Sequence, residues 1–143
     1  MSKHLEELDK SIEILKEHQK VSQEQSLKNA TLQDAVCRRF QIATECCIDL
    51  GNHVISGYGL RRPETNSDIF IILFESGYLG EKDFAEKMVE MVKLRNLLAH
   101  LCLKANLDLV YSHLKSDMWL FKEFQKIILK LIPADEKDQE LWE

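Results

Sequence analysis

Residues that break regular structure are scarce in this chain: two prolines and five glycines among 143 residues. Pro63 and Pro133 both fall outside the long periodic segments, so little interrupts helix formation and a mainly helical protein is expected. Long apolar runs are missing too. None approaches the ~20 residues that a bilayer-spanning helix needs, and the start, Met-Ser-Lys-His-Leu-Glu-Glu-Leu, lacks the apolar stretch of an export signal. No membrane contact and a cytoplasmic location are expected on that basis. Positive charge is not in excess either: 19 Lys and Arg against 24 Asp and Glu leave a net charge of −5. Proteins that coat long stretches of nucleic acid carry the opposite balance, so any contact with RNA should be local. The four cysteines, Cys37, Cys46, Cys47 and Cys102, form no CxxC pair and no zinc-ligand spacing. They read as reduced packing residues, and no metal or other cofactor is expected. A glycine-rich phosphate loop and a GxSxG elbow are also absent; Gly57-x-Gly59 follows a helix and lacks a third glycine.

What is present is a globular composition, 45% hydrophobic and 30% charged, sized for a single domain over residues 1–143. Leu5, Leu8, Ile12 and Leu15 recur at helical spacing and predict a first helix over residues 3–19. The polar run from Ser22 to Ser26 reads as a turn or a frayed joint. A second helix is expected over 27–53, its stripe made of Leu32, Ala35, Val36, Phe40, Ala43, Cys47, Leu50 and Val54, before a loop holding Gly57, Gly59 and Pro63. Ser67 suits the N-cap of a short helix over 68–75, apolar almost all round, with Gly77 as its stop. A strand is the competing reading there, but no partner strand is evident. A fourth helix starts at 81, with Glu81, Asp83 and Glu86 at its positive end and Phe84, Met88, Met91 and Leu98 facing the core. The last, over 109–131, carries Val110, Leu114, Trp119, Leu120, Phe124, Ile127, Ile128 and Leu131, and an acidic tail follows over 134–143. The expected architecture is all-α: an up-and-down bundle of about five helices with enough apolar surface to form a twofold homodimer.

The fourth helix carries the chemistry. Arg95, Asn96 and His100 are crowded into less than two turns among Met, Val and Leu. Asn96 and His100, four apart, share a face. Two readings stand: a satisfied polar network in the core, or a phosphate-handling site with a guanidinium for charge, an imidazole for protons and an amide for orientation. Other cations fall in pairs, Arg38-Arg39 and Arg61-Arg62, with Lys93 beside the motif. Glu45, Asp49 and His53 lie one turn apart on the second helix. They form either a metal comb or a row of polar contacts from which Glu45 and Asp49 could reach Arg95 or His100.

These segments together resemble the HEPN-domain proteins of the HepT toxin family. The family pattern is Arg-polar-x-x-x-His-x-Tyr, and here it reads Arg95, Asn96, His100 and Cys102. Matching stretches are Arg39-Phe40-Gln41-x-Ala43-x-Glu45 with Asp49-Leu50-x-x-His53-Val54, then Phe70-x-x-Leu73-x-Glu75-x-Gly77-x-Leu79, and Asp108 and Val110 leading into Tyr111-x-x-Leu114. The likeness spans about residues 32–124. It implies a dimeric helical bundle in which the Arg-His motifs of two protomers form a composite, metal-independent endoribonuclease site acting on RNA such as tRNA or mRNA. His100 would be the general acid or base, Arg95 would stabilise charge on the phosphate and Asn96 would orient, with Glu45 and Asp49 behind them. It also implies a partner, an MNT-type nucleotidyltransferase antitoxin that silences the toxin by binding or by adenylylating the motif Tyr. That position is Cys102 here, and a thiol does not simply replace a phenol as acceptor. A non-catalytic adaptor or substrate-binding subunit of a nucleotidyltransferase is the alternative.

Overall fold

The computed structural model describes the backbone of residues 2–100 and 104–132. Among these every regular element is a helix: α1 (Ser2–Gln19), α2 (Gln23–Leu27), α3 (Ala30–Gly57), α4 (Asn66–Glu75), α5 (Lys82–His100), α6 (Lys104–Ser116) and α7 (Trp119–Leu131). Seven helices stand where about five were expected, and local hydrogen bonding accounts for the additional breaks. The polar run after α1 is neither a simple turn nor a frayed joint. Ser22 opens α2 with a capping box, its hydroxyl accepting from the Gln25 N–H at 3.1 Å while the Gln25 side chain accepts from the Ser22 N–H at 3.3 Å. Asn29 then caps α3, its side chain accepting from the Leu32 N–H at 3.2 Å. The expected final helix is divided at Asp117. That carboxylate lies 2.8 Å from His113 Nδ1 and 3.9 Å from Lys87 Nζ, which ties the break to α5.

The segment over Ile69 to Phe74 is helical, not a strand. Its N-cap is Thr65 and not Ser67: the Thr65 hydroxyl accepts from the Asp68 N–H at 3.1 Å. Gly77 ends it as expected, at φ +83°, with Gly77 N–H donating to Phe74 O and Tyr78 N–H to Leu73 O.

α3 is the centre of the bundle, and each of the other six helices packs against it. That explains why twelve of its residues, from Val36 to Ile55, are buried on several sides. Phe40 meets Phe121 edge-on and Phe70 meets Phe124 likewise, at centroid distances of 5.9 and 5.5 Å. Fully burying one such ring is worth about 1.5–3 kcal/mol. Gly51 sets how closely α4 approaches α3: a Cβ there would lie 2.6 Å from Ile69 Cγ2. Four residues of the expected apolar faces are outside it: Ala35, Ile71 and Trp119 are exposed and Leu32 is half-buried.

Cys46 and Cys47 are free and buried. Burial foremost, then the nearby Glu7, Asp49 and Glu45 carboxylates, push the Cys46 thiol up to about 12, and burial raises Cys47 well above the usual range. Both thiols therefore stay protonated and pack as apolar groups. Cys37 departs from the expectation of reduced thiols, being disulfide-bonded. Cys102 and the tail over 134–143 lie outside the described residues. No described helix is long and apolar enough to cross a membrane.

Candidate functional site

α5 buries Phe84, Ala85, Met88, Met91, Val92, Leu94 and Leu98 against α3 and α4. That spacing turns Lys93, Asn96, Leu97 and His100 outward at its C-terminal end. The last turn is held from α3: Gln41 Nε2 donates to the Leu98 carbonyl at 3.0 Å, a group that a helix end otherwise leaves unpaired. Arg38 in turn donates to Gln41 Oε1 at 3.4 Å. Gln41 is not among the expected site residues, although it stands in one of the stretches that carry the resemblance. Its place one turn before Glu45 on α3 is the signal, because both then face α5.

Arg95 lies between the two helices with its side chain 26% exposed. Its Nη2 donates to Glu45 Oε1 at 3.2 Å and its Nη1 to Asn96 Oδ1 at 3.1 Å. Its Nε is buried and without a hydrogen-bond partner. Asn96 and His100 are both exposed. His100 makes no hydrogen bond or ion pair with a described residue. The trio is therefore a surface group anchored by one half-buried arginine, not a polar network within the core. Leu97, between them in sequence, is 49% exposed.

The two acidic residues expected behind the motif part company. Glu45 reaches Arg95, whereas Asp49 is 3.7 Å from His4 Nδ1 on α1. His4 and His53 face each other at 5.7 Å between ring centroids, and with Asp49, Asn52 and Ser56 they line a separate open cavity of about 480 Å³. Among the described residues no three His, Cys, Asp or Glu side chains are placed to hold a metal ion. The paired cations are mostly committed to structure. Arg39 donates to Glu7 at 2.8 Å and to Ser11 at 3.2 Å, and Arg61 grips both oxygens of Asp68 at 2.9 Å. Tyr111, nine residues beyond the motif, is buried with its hydroxyl paired to Ser26.

The arrangement offers a guanidinium with one carboxylate partner and spare donors, and on the last turn of the same helix an exposed imidazole that pairs with no described residue. A phosphate oxygen suits the first and a ribose hydroxyl proton suits the second.

The chain as a whole is similar to several known proteins. The family model of ribonuclease HepT-like proteins matches residues 8–128. The mRNA nuclease HepT of Shewanella oneidensis is 31% identical over 98 residues, covering 68% of this chain and 73% of that protein. The tri-AMPylated HEPN toxin of S. oneidensis, solved in complex with its MNT antitoxin, superposes with a TM-score of 0.80 at 26% identity, covering 90% of this chain and 95% of the other. A toxin–antitoxin crystal structure with AMP-PNP gives a TM-score of 0.79 at 26% identity over 88% and 95% of the two chains.

Proposed function

From a chain that belongs to the ribonuclease HepT-like family, we propose a toxin that cleaves RNA without a metal ion, through Arg95 and His100. The observation that carries this reading is the state of Arg95. One carboxylate fixes its position, and the second hydrogens of Nη1 and Nη2, on a side chain 26% exposed, are left for an incoming acceptor. Glu45 thus acts as a positioning residue: it holds the guanidinium plane so that the charge building on a phosphate meets donors already aimed at it. His100 moves the proton, taking it from the attacking ribose hydroxyl or giving it to the leaving oxygen. Asn96 holds the other side of the guanidinium.

The unit is a single HEPN-like domain acting in the cytoplasm as a homodimer. Leu97, exposed beside Asn96 and His100, gives the site an apolar neighbour suited to burial against a second protomer, which would bring two Arg95–His100 motifs into one cleft. A composite cleft also reconciles an acidic protein with an RNA substrate, since four local groups replace a broad basic surface. The partner is an MNT-type nucleotidyltransferase antitoxin. Because Cys102 stands at the acceptor Tyr position and Tyr111 is buried against Ser26, silencing proceeds by binding and not by nucleotidyl transfer to a motif phenol.

The test is incubation of the purified chain with an mRNA transcript in EDTA, beside a His100→Ala chain of equal helicity. Cleavage by the first alone supports the reading. Intact RNA with both, together with a stable complex with the nucleotidyltransferase, would favour the adaptor role.

A further inference from the structure

α7 differs from the other helices in how its charge is arranged. Trp119, Lys122, Lys126 and Lys130 follow 3-4-4 spacing, so they fall on one stripe of about 80° along its outer side. All four are exposed, Trp119 by 47%. Five lysines elsewhere pair with a carboxylate three or four residues away, Lys16 with Glu13, Lys20 with Glu17, Lys28 with Glu24, Lys82 with Glu86 and Lys87 with Asp83, while Lys10, Lys93 and Lys115 stand singly on α1, α5 and α6 without a carboxylate partner among the described residues. The three lysines of α7 make no ion pair with a described residue, and the helix holds one acidic residue, Glu123. Asp9 of α1 touches the border of the stripe through Gln125, at 3.4 Å.

Each end of the stripe carries an exposed aromatic plane. Trp119 sits at the first, tilted against Phe84 at 5.9 Å between ring centroids and with Lys87 Nζ 5.5 Å from its ring centre. Tyr58 sits at the other, 47% exposed, its hydroxyl donating to the Leu131 carbonyl at 2.5 Å and its ring 5.4 Å from Tyr78. Both rings are held by neighbours and each is 47% exposed, so ordering either against a base costs little further entropy. The overall acidity does not argue against a cationic track here. Residues 133–143 hold five Asp or Glu and one Lys, so the net −5 of the whole chain leaves −1 for residues 1–132.

We propose that this stripe is a binding track for single-stranded RNA, resting on the nuclease reading above and extending it to the substrate's path outside the Arg95–His100 cleft. Cations one helical turn apart, about 6 Å, grip successive phosphates, and Trp119 and Tyr58 stack on bases at the two ends. Such contacts hold any sequence, so the track supplies affinity and leaves the choice of cleavage position to the cleft.

The experiment is fluorescence anisotropy with a 5′-fluorescein oligouridylate of about 15 nucleotides, on the His100→Ala chain so that the probe survives. Replacing Lys122, Lys126 and Lys130 by Gln should lower the slope of log affinity against log salt by about 2 and weaken binding roughly tenfold near physiological salt. Trp119→Ala and Tyr58→Ala should each weaken binding without changing that slope. In the active chain the triple Lys→Gln substitution should raise KM and leave kcat alone. Unchanged slope and affinity in the triple variant would overturn the proposal. So would a parent chain that ignores the oligouridylate yet binds phosphatidylglycerol vesicles through these lysines. Lysine-dependent RNA binding by a chain that never cleaves RNA would leave the track standing and remove the nuclease reading instead.

Discussion

Two arginine–carboxylate pairs in this molecule differ in what they leave over. Arg61 closes the loop before α4 with both fork nitrogens on Asp68 at 2.9 Å and a further contact to Glu75 at 3.5 Å. Asp68 also accepts from the Glu64 backbone at 3.0 Å, and the Arg61 hydrogen bond is the main reason its carboxyl is held below the usual range. That pair is geometrically complete, with Arg61 half in solvent and Asp68 largely covered. Arg95 has one carboxylate oxygen at 3.2 Å, one amide oxygen at 3.1 Å and a buried Nε with nothing. Sharing a carboxylate is thus no guide to role. A satisfied fork staples a loop, whereas one with Nη donors left over on a side chain 26% exposed can still take an anion.

The largest expected effects come from breaking the second pair's chemistry. Arg95→Ala and His100→Ala should each lower RNA cleavage by about 10²–10⁴ in kcat while leaving the circular dichroism spectrum intact. Glu45→Gln keeps the shape but removes the charge that positions Arg95. A loss of roughly tenfold in kcat/KM is expected, with partial recovery in Glu45→Asp. A control separates site from fold: Gly51→Ala pushes a methyl against Ile69 and should cost about 1–3 kcal/mol by denaturant titration, with kcat per folded molecule unchanged.

Smaller still is a pH effect at His18. Burial, and after it the Arg39 guanidinium, hold its pKa below 6.5 in the folded chain. The unfolded chain therefore binds the proton first as pH falls, so stability present above about 6.5 declines as the medium is acidified below it. His18→Gln should flatten that part of a melting-temperature profile. Smallest of all, Arg61→Ala should lower the melting temperature by a few degrees at most and leave cleavage untouched, because Arg61 is half in solvent. A loss of activity there would erase the contrast between the two arginines.

Much of this was legible in the sequence, for identifiable reasons. Apolar spacing located α1, α3, α4 and α5, because burial against a central helix demands that periodicity. The breaks were not legible, since they depend on small side-chain hydrogen bonds: Ser22 and Asn29 as caps, Thr65 in place of Ser67, and His113 with Asp117. Arg95, Asn96 and His100 stood out as polar residues in an apolar helix. Glu45 and Asp49 could not be told apart by spacing, because each is one turn from the next and only the tertiary position of α1 gives Asp49 to His4. Trp119 looked like core by composition, yet the break at Asp117 turns it outward.

The account rests on Arg95 and His100 forming a metal-independent ribonuclease site. The most direct measurement is the initial rate of transcript cleavage in EDTA by the purified chain, by His100→Ala and by Arg61→Ala, all prepared identically. The account predicts equal cleavage by the parent and Arg61→Ala chains and a loss of at least about a hundredfold in His100→Ala. Equal rates in the parent and His100→Ala chains, or no cleavage by the parent at any concentration, would contradict it.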